Sequence, residues 1–409
     1  MNNKFSIKIS SRGALKFSLN GRLDSNSAQD FLNVVMSIAG HSPSSIGDKD
    51  KHIPSIILDC QELVYISSAG LRAMLTIKKR TDTLNLINVS PEVYNILEVT
   101  GFTQIFNVSQ VKENFIMSGI KELDRINGEI IAETGGITIY KTKSDELIKL
   151  YPENIKLDDV RNELNHTKIA FISGVPTLIS YYVVKIKNRY GLIYEMPSAK
   201  TVASMINFQS SNLNSYAKNM GSTFKQIHSC IIQDGILPKT SDLFLDYLKK
   251  ASAYYNPDEV SQLSDIIRAI PESNKFIYGN YHAGNVFIQN NEILLLNMSG
   301  VSVGNPIYDL AKSYMFHVSE SEIFSQALMG FDVHRAEIFS HVMLCAYFGS
   351  VNITEQEKII NMAADLCSAL LPGMGKFPPE QIVKFTAKAR KNILANSDEY
   401  IEILSQANF

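Results

Sequence analysis

Over roughly its first 110 residues, the chain alternates short apolar runs of strand period with segments of helical period, a pattern that few architectures accept. Residues 4–9 and 14–19 alternate as paired strands around a turn at Ser11-Arg12-Gly13. Gly21-Arg22-Leu23-Asp24 leads into an apolar-periodic helix from Ala28 to Ile38, capped by Asp24 or a nearby Ser. A Ser-, Gly-, Asp- and Pro-rich stretch over 40–51 reads as a loop, and Ser55-Ile56-Ile57-Leu58-Asp59-Cys60 as a buried strand. A helix over Leu71 to Lys79, a strand over Leu84 to Val89 and a helix over Pro91 to Val99, ended by Gly101, complete the series. Strands that alternate with helices predict an α/β layer around a mostly parallel sheet.

The remaining length requires more than this layer. A chain of 409 residues holds two or three cores of ordinary size. A formal net charge of -2, from 39 basic and 41 acidic residues, gives no electrostatic basis for a nucleic-acid or acidic-membrane partner. The N-terminus has no apolar leader and no run approaches the roughly 20 apolar residues that cross a bilayer, so the expectation is a soluble cytoplasmic protein. Cys60, Cys230, Cys345 and Cys367 stand singly and are expected as buried thiols.

Four segments of the first region, Gly21-Arg22-Leu23-Asp24, Ile57-Leu58-Asp59, Ile66-Ser67-Ser68-Ala69-Gly70-Leu71-Arg72 and Leu97-Glu98-Val99-Thr100-Gly101-Phe102, occur in an order that resembles the STAS domain of bacterial anti-sigma factor antagonists. The resemblance implies a protein partner and, at the strand-to-helix turn, a Ser or Thr whose phosphorylation ends partner binding by placing charge at a docking surface. Here Ala69 aligns with that acceptor and cannot be phosphorylated. Two readings stand for its neighbours. Ser67 and Ser68 cap the helix that starts near Gly70, or Ser68 serves as a shifted acceptor. Asp24, Ser67, Ser68, Ala69 and Gly70 are the candidate partner-binding or phospho-turn residues.

Further along, Gly135-Gly136 is followed by Ile137-Thr138-Ile139-Tyr140 and then by Leu147-Ile148-Lys149, with Glu163 fourteen positions later. A hairpin over residues 181–196 ends at Glu195-Met196, and a largely helical stretch runs from Ser204 to Ile270 with a break at Asp234-Gly235-Ile236-Leu237-Pro238. Then come Tyr278-Gly279-Asn280-Tyr281-His282-Ala283-Gly284-Asn285, Leu294-Leu295-Leu296-Asn297-Met298 and Gly304-Asn305-Pro306-Ile307-Tyr308-Asp309-Leu310-Ala311. More helices follow, the last expected to start at Phe377-Pro378-Pro379-Glu380.

This order resembles the aminoglycoside phosphotransferase and protein-kinase family, in which the first catalytic stretch usually reads His-Gly-Asp-x-His-x-x-Asn and the second ends in Asp. The resemblance implies an α+β bilobal kinase-like fold after the α/β STAS domain. The expected domains are STAS over 1–112, a linker over 113–128, a kinase-like N-lobe over 129–200 and a helical C-lobe over 201–409. It also implies that Gly135, Gly136, Lys149, Glu163, Glu195 and Met196 form the nucleotide side, the lysine giving a point charge to phosphates and the hinge backbone meeting an adenine. Asn280 stands at the catalytic base, and Asn285 and Asn297 at the metal positions, with Asn285 at the expected spacing of five. Asp309 is expected to hold the catalytic-loop backbone, and His228 to pack. An amide neither accepts a proton usefully nor offsets a divalent charge, and loss of the base alone costs roughly 10² to 10⁴ in rate.

The sequence therefore reads as a regulatory protein: a STAS module that takes an anti-sigma-factor-like or other switch protein as partner, joined to a pseudokinase that keeps ATP as its cofactor with Mg2+ weak or absent. The alternative is a slow or unconventional ATP-dependent small-molecule phosphotransferase.

Overall fold

A computed structural model describes residues 6–10, 15–38, 55–110, 120–134, 136–142, 146–195, 200–289 and 292–409. The turn expected at Ser11-Arg12-Gly13 and the loop expected over 40–51 lie outside them. The chain divides into two compact units, one of residues 1–172 with 177–196 and the other of residues 173–176 with 197–409.

The first unit begins with β1 (Ser6–Ser10), β2 (Leu15–Leu23), α1 (Ala28–Ile38), β3 (Ile56–Ile66), α2 (Ser68–Lys78), β4 (Leu84–Val89), α3 (Pro91–Val99) and β5 (Asn107–Gln110). The sheet order is β1-β2-β3-β4-β5, antiparallel at the β1–β2 hairpin and parallel elsewhere. A parallel strand covered on both faces needs a nearly continuous apolar run, which Ile56-Ile57-Leu58 supplies. Short and polar, β5 lacks the alternation that announces a strand, and register with β4 recruits it.

The unit continues with β6 (Lys121–Glu122), β7 (Gly128–Thr134), β8 (Ile137–Thr142), β9 (Glu146–Leu150), α4 (Leu157–Ser173), β10 (Ser180–Ile186) and β11 (Arg189–Glu195). These strands form a second sheet in the order β6-β10-β11-β9-β8-β7. β9 lies inside it, paired antiparallel with both β8 and β11. One buried apolar core runs through both sheets: Phe17, Leu58, Leu71, Leu86 and Phe102 belong to the same cluster as Ile148, Phe171, Val184 and Ile193.

The second unit contains β12 (Lys200–Thr201), α5 (Val202–Phe208), α6 (Leu213–Ile227), α7 (Thr240–Ala251), α8 (Pro257–Ala269), β13 (Lys275–Ile277), β14 (Val286–Gln289), β15 (Glu292–Leu295), β16 (Ser302–Gly304) and α9 (Ile307–Tyr314). After these come α10 (Ser321–Met329), α11 (Val333–Phe348), α12 (Thr354–Met374), α13 (Pro379–Asn392) and α14 (Ser397–Ser405). The helix that opens after Phe377-Pro378 is thus the last but one, because α14 follows a short 3₁₀ turn. Helices surrounding two small antiparallel sheets, preceded by a mixed sheet with one inserted helix, make the kinase-like α+β fold; the STAS layer before it is α/β.

The expectation of four buried thiols needs correction. Burial pushes the thiols of Cys60 and Cys367 up to about 12, whereas Cys230, just after α6, and Cys345, on α11, are only half-buried. Among the described residues no helix is long and apolar enough to cross a membrane.

Phe102 is fully buried and its ring lies 5.0 Å from Phe106 and 5.6 Å from Phe171. Phe102→Ala is expected to cost about 3–5 kcal/mol, read as a lowered urea midpoint by far-ultraviolet circular dichroism. A loss under about 1 kcal/mol would contradict a core shared by the two sheets.

Candidate functional site

In the first unit the site is built on β9. The strand places Lys149 between apolar neighbours in the middle of the sheet, leaving it 4% exposed, and α4 brings Glu163, 2% exposed, onto it. The Lys149 Nζ lies 2.8 Å from Oε1 and 3.0 Å from Oε2 of Glu163. Tyr151 donates its hydroxyl to Glu163 Oε2, and Tyr194 donates to Oε1 at 3.3 Å. The ammonium also sits 4.8 Å from the centroid of the Tyr151 ring. Burial, then Tyr194 and Glu163, raises the Tyr151 hydroxyl far above its ordinary value, so it stays a donor. Two buried charges are tolerated here because each is met by an opposite charge and further hydrogen bonds.

Gly136 adopts a positive φ of 80° in the turn between β7 and β8. Its carbonyl accepts from Arg189 Nη2 at 3.1 Å, while Arg189 Nε donates to the carbonyl of Tyr151 at 2.7 Å. The cleft beside this turn, about 560 Å³, is walled by Glu133 and Glu153 as well as Arg189. Glu195 ends β11, and Gly135 and Met196 lie outside the described residues.

In the second unit the loop from Tyr278 to Asn285 hangs from Asp309. Its carboxylate accepts from the backbone N–H groups of Tyr278 and Gly279, both at 2.6 Å, and Oδ2 lies 3.2 Å from His228 Nε2. His228 Nδ1 is 2.9 Å from the Tyr347 hydroxyl, so this buried histidine is a structural link. Gly279 has φ of 79°, and a Cβ there would stand 2.6 Å from the Gly300 carbonyl, which excludes any other residue without movement. Asn285 Nδ2 donates to the Tyr278 hydroxyl at 3.0 Å and to the Asn280 carbonyl at 3.1 Å. Tyr278 thereby ties both ends of the loop.

Asn280 and Asn297 are half-buried, and Asn297 Oδ1 accepts from the hydroxyl of Ser299 at 2.9 Å. The oxygen donors at Asn280, Asn285 and Asn297 are neutral amides. Among the described residues no group of three or more His, Cys, Asp or Glu could hold a metal ion. A Mg2+ ion depends on hard and preferably charged oxygens, and none of these three amides carries a charge.

At the STAS turn, Ser67 caps α2 by accepting from the Gly70 N–H at 3.3 Å. Ser68 already lies within the helix and is fully buried, and Ala69 is half-buried. A Cβ at Gly70 would meet the Leu23 carbonyl at 2.6 Å, so glycine lets α2 approach the end of β2. Asp24 Oδ1 accepts from the Asn26 N–H at 3.0 Å and so shapes the turn before α1. Arg72 and Asn95 did not emerge as contact residues from the sequence, since their partners lie beyond residue 170.

Residues 7–114 match the STAS domain family. Over 68 residues the chain is 38% identical to a protein of Bordetella bronchiseptica named as an anti-sigma factor antagonist, BtrV, a match covering 16% of this chain and 59% of that protein. Solved structures similar to this chain include a choline/ethanolamine kinase family protein from Mesorhizobium loti, with 12% identity, a TM-score of 0.45 and coverage of 68% of this chain and 92% of that one. The amicoumacin kinase hAmiN, solved with AMP-PNP and Ca2+, has 11% identity, a TM-score of 0.49 and coverage of 68% and 90%. Residues 7–114 are thus a STAS domain.

Removing one partner of the Lys149–Glu163 pair leaves a buried charge unmatched. Lys149→Met is expected to cost about 3–5 kcal/mol, and Lys149→Met combined with Glu163→Leu to recover most of it, both by urea unfolding. A second expectation concerns acid. Burial, then His317 and Lys312, pushes the buried His282 down to about 3, and burial pushes His317 to about 4. Both stay neutral when folded but protonate near 6.5 when unfolded, so stability is full above pH 6.5 and falls as the pH drops toward 4. His317→Gln should remove on the order of 3 kcal/mol of that acid sensitivity. An unchanged slope of stability against pH would count against it.

Proposed function

We propose that this is a regulatory protein in which a STAS module of the anti-sigma factor antagonist kind is joined to a catalytically impaired phosphotransferase-like domain that retains nucleotide as a ligand. The observation that carries the reading is an intact catalytic-loop framework with amides at its two acid positions. Asp309 grips the loop through two amide protons and Asn285 closes it, yet Asn280 and Asn297 stand where the family resemblance calls for carboxylates. A residue that hydrogen-bonds without basicity keeps the shape of a loop and removes its proton transfer.

The nucleotide is held metal-poor, through Lys149 and the backbone following Glu195. The buried Lys149–Glu163 pair supports this part, because a lysine held by a carboxylate in a dry sheet is oriented rather than free to snorkel. The same pair also favours a second reading, a slow ATP-dependent small-molecule phosphotransferase. The protein partner is a switch protein that binds the STAS domain.

Calorimetric titration with ATP, with and without Mg2+, separates the readings. The proposed regulator binds ATP with little dependence on Mg2+, and the double variant Asn280→Asp, Asn297→Asp gains a Mg2+-dependent increase of about tenfold or more. Transfer of phosphate from ATP to any hydroxylated acceptor, abolished by Lys149→Ala, would overturn impairment in favour of the second reading. No binding in either protein would remove nucleotide from the proposal.

A further inference from the structure

The turn that opens α2 is covered by the chain itself. Because Ser67 takes the capping role, the Ser68 hydroxyl is left to accept from the Ile179 N–H, at 2.9 Å. The Ser68 N–H donates to Glu195 Oε2, also at 2.9 Å, at a helix N-terminus where a carboxylate is favoured. One turn further, Arg72 Nη1 donates to the Thr177 carbonyl at 3.1 Å, and its guanidinium lies 5.9 Å from the Phe171 ring centroid. From α3, Asn95 donates to the Tyr182 hydroxyl, and just beyond it Phe102 meets Phe171 edge to face at 5.6 Å. Polar contacts therefore flank an apolar centre, as in a specific protein interface. Ser68 has no exposed surface.

We propose that the STAS module of this chain acts in cis: its α2–α3 face takes Phe171 of α4 and residues 177–195, which carry β10 and β11, as its partner, latched by Ser68. The seam uses both hydrogen-bonding groups of Ser68, one of them on the last residue of β11, so the module grips the strand that leads to the hinge. It stands on contacts within the first unit and does not depend on nucleotide binding.

Hydrogen–deuterium exchange on the full chain tests the latch. In the wild-type protein, peptides spanning 68–78 and 177–186 should be protected to the level of the β9 peptide. Ser68→Asp puts a second carboxylate beside Glu195 and removes the hydroxyl acceptor, and it should speed exchange in both peptides at least about tenfold while α11 and α12 remain protected. Ser68→Ala, which deletes only the bond from Ile179, should speed exchange around that residue by less. Unprotected 177–186 in the wild-type protein, or unchanged exchange in Ser68→Asp, would overturn the proposal. If Ser68→Asp also loses protection in α11 and α12, Arg72→Ala decides: it should loosen 177–186 selectively, and no loosening would reject the latch. Calorimetry with ATP reads the function proposed above separately, so either idea can fail alone.

Discussion

A buried ammonium met by a buried carboxylate organises the first unit. Lys149 can occupy an interior strand only because Glu163 neutralises it, and Glu163 can face the sheet only because Tyr151 and Tyr194 supply it with donors. Neither charge has a tolerable environment without the other, so the pair fixes the rotation of α4 over β9. That rotation presents Phe171, near the far end of α4, to Phe102 and Arg72 of the STAS domain. An electrostatic constraint near the start of a helix is thereby converted into apolar packing at its end.

The second unit uses a carboxylate differently. Asp309 is buried, and it meets two backbone amide protons and a histidine ring. Anions held by backbone donors fix a chain path more tightly than they fix a side chain. The loop from Tyr278 to Asn285 therefore keeps its course without a carboxylate at Asn280.

Much of this was legible in the sequence, for physical reasons that differ by element. The strand and helix alternation of the STAS domain is local and period-driven, and its helices over Ala28–Ile38 and Pro91–Val99 are present with those limits. The Lys149–Glu163 contact was legible through family spacing, whereas the bond from Asn285 to the Asn280 carbonyl was not announced by the sequence. The role of Ser68 was not. A serine before a helix suits a cap and a modification site equally, and only the arrival of Ile179 and Glu195 determines that it is neither on the exterior nor the cap. The short β5 was hidden as well, because its strand character comes from pairing and not from its composition.

The seam between the STAS domain and the kinase-like sheet bears on how the chain is made. Its closing contacts join residues 111 and 127 positions apart, so the STAS domain leaves the ribosome well before the strands that cover it. At about 5–20 residues per second, its apolar α2–α3 face waits several seconds for β10 and β11. Such an interval leaves that surface uncovered during synthesis, until contacts of high sequence separation close it.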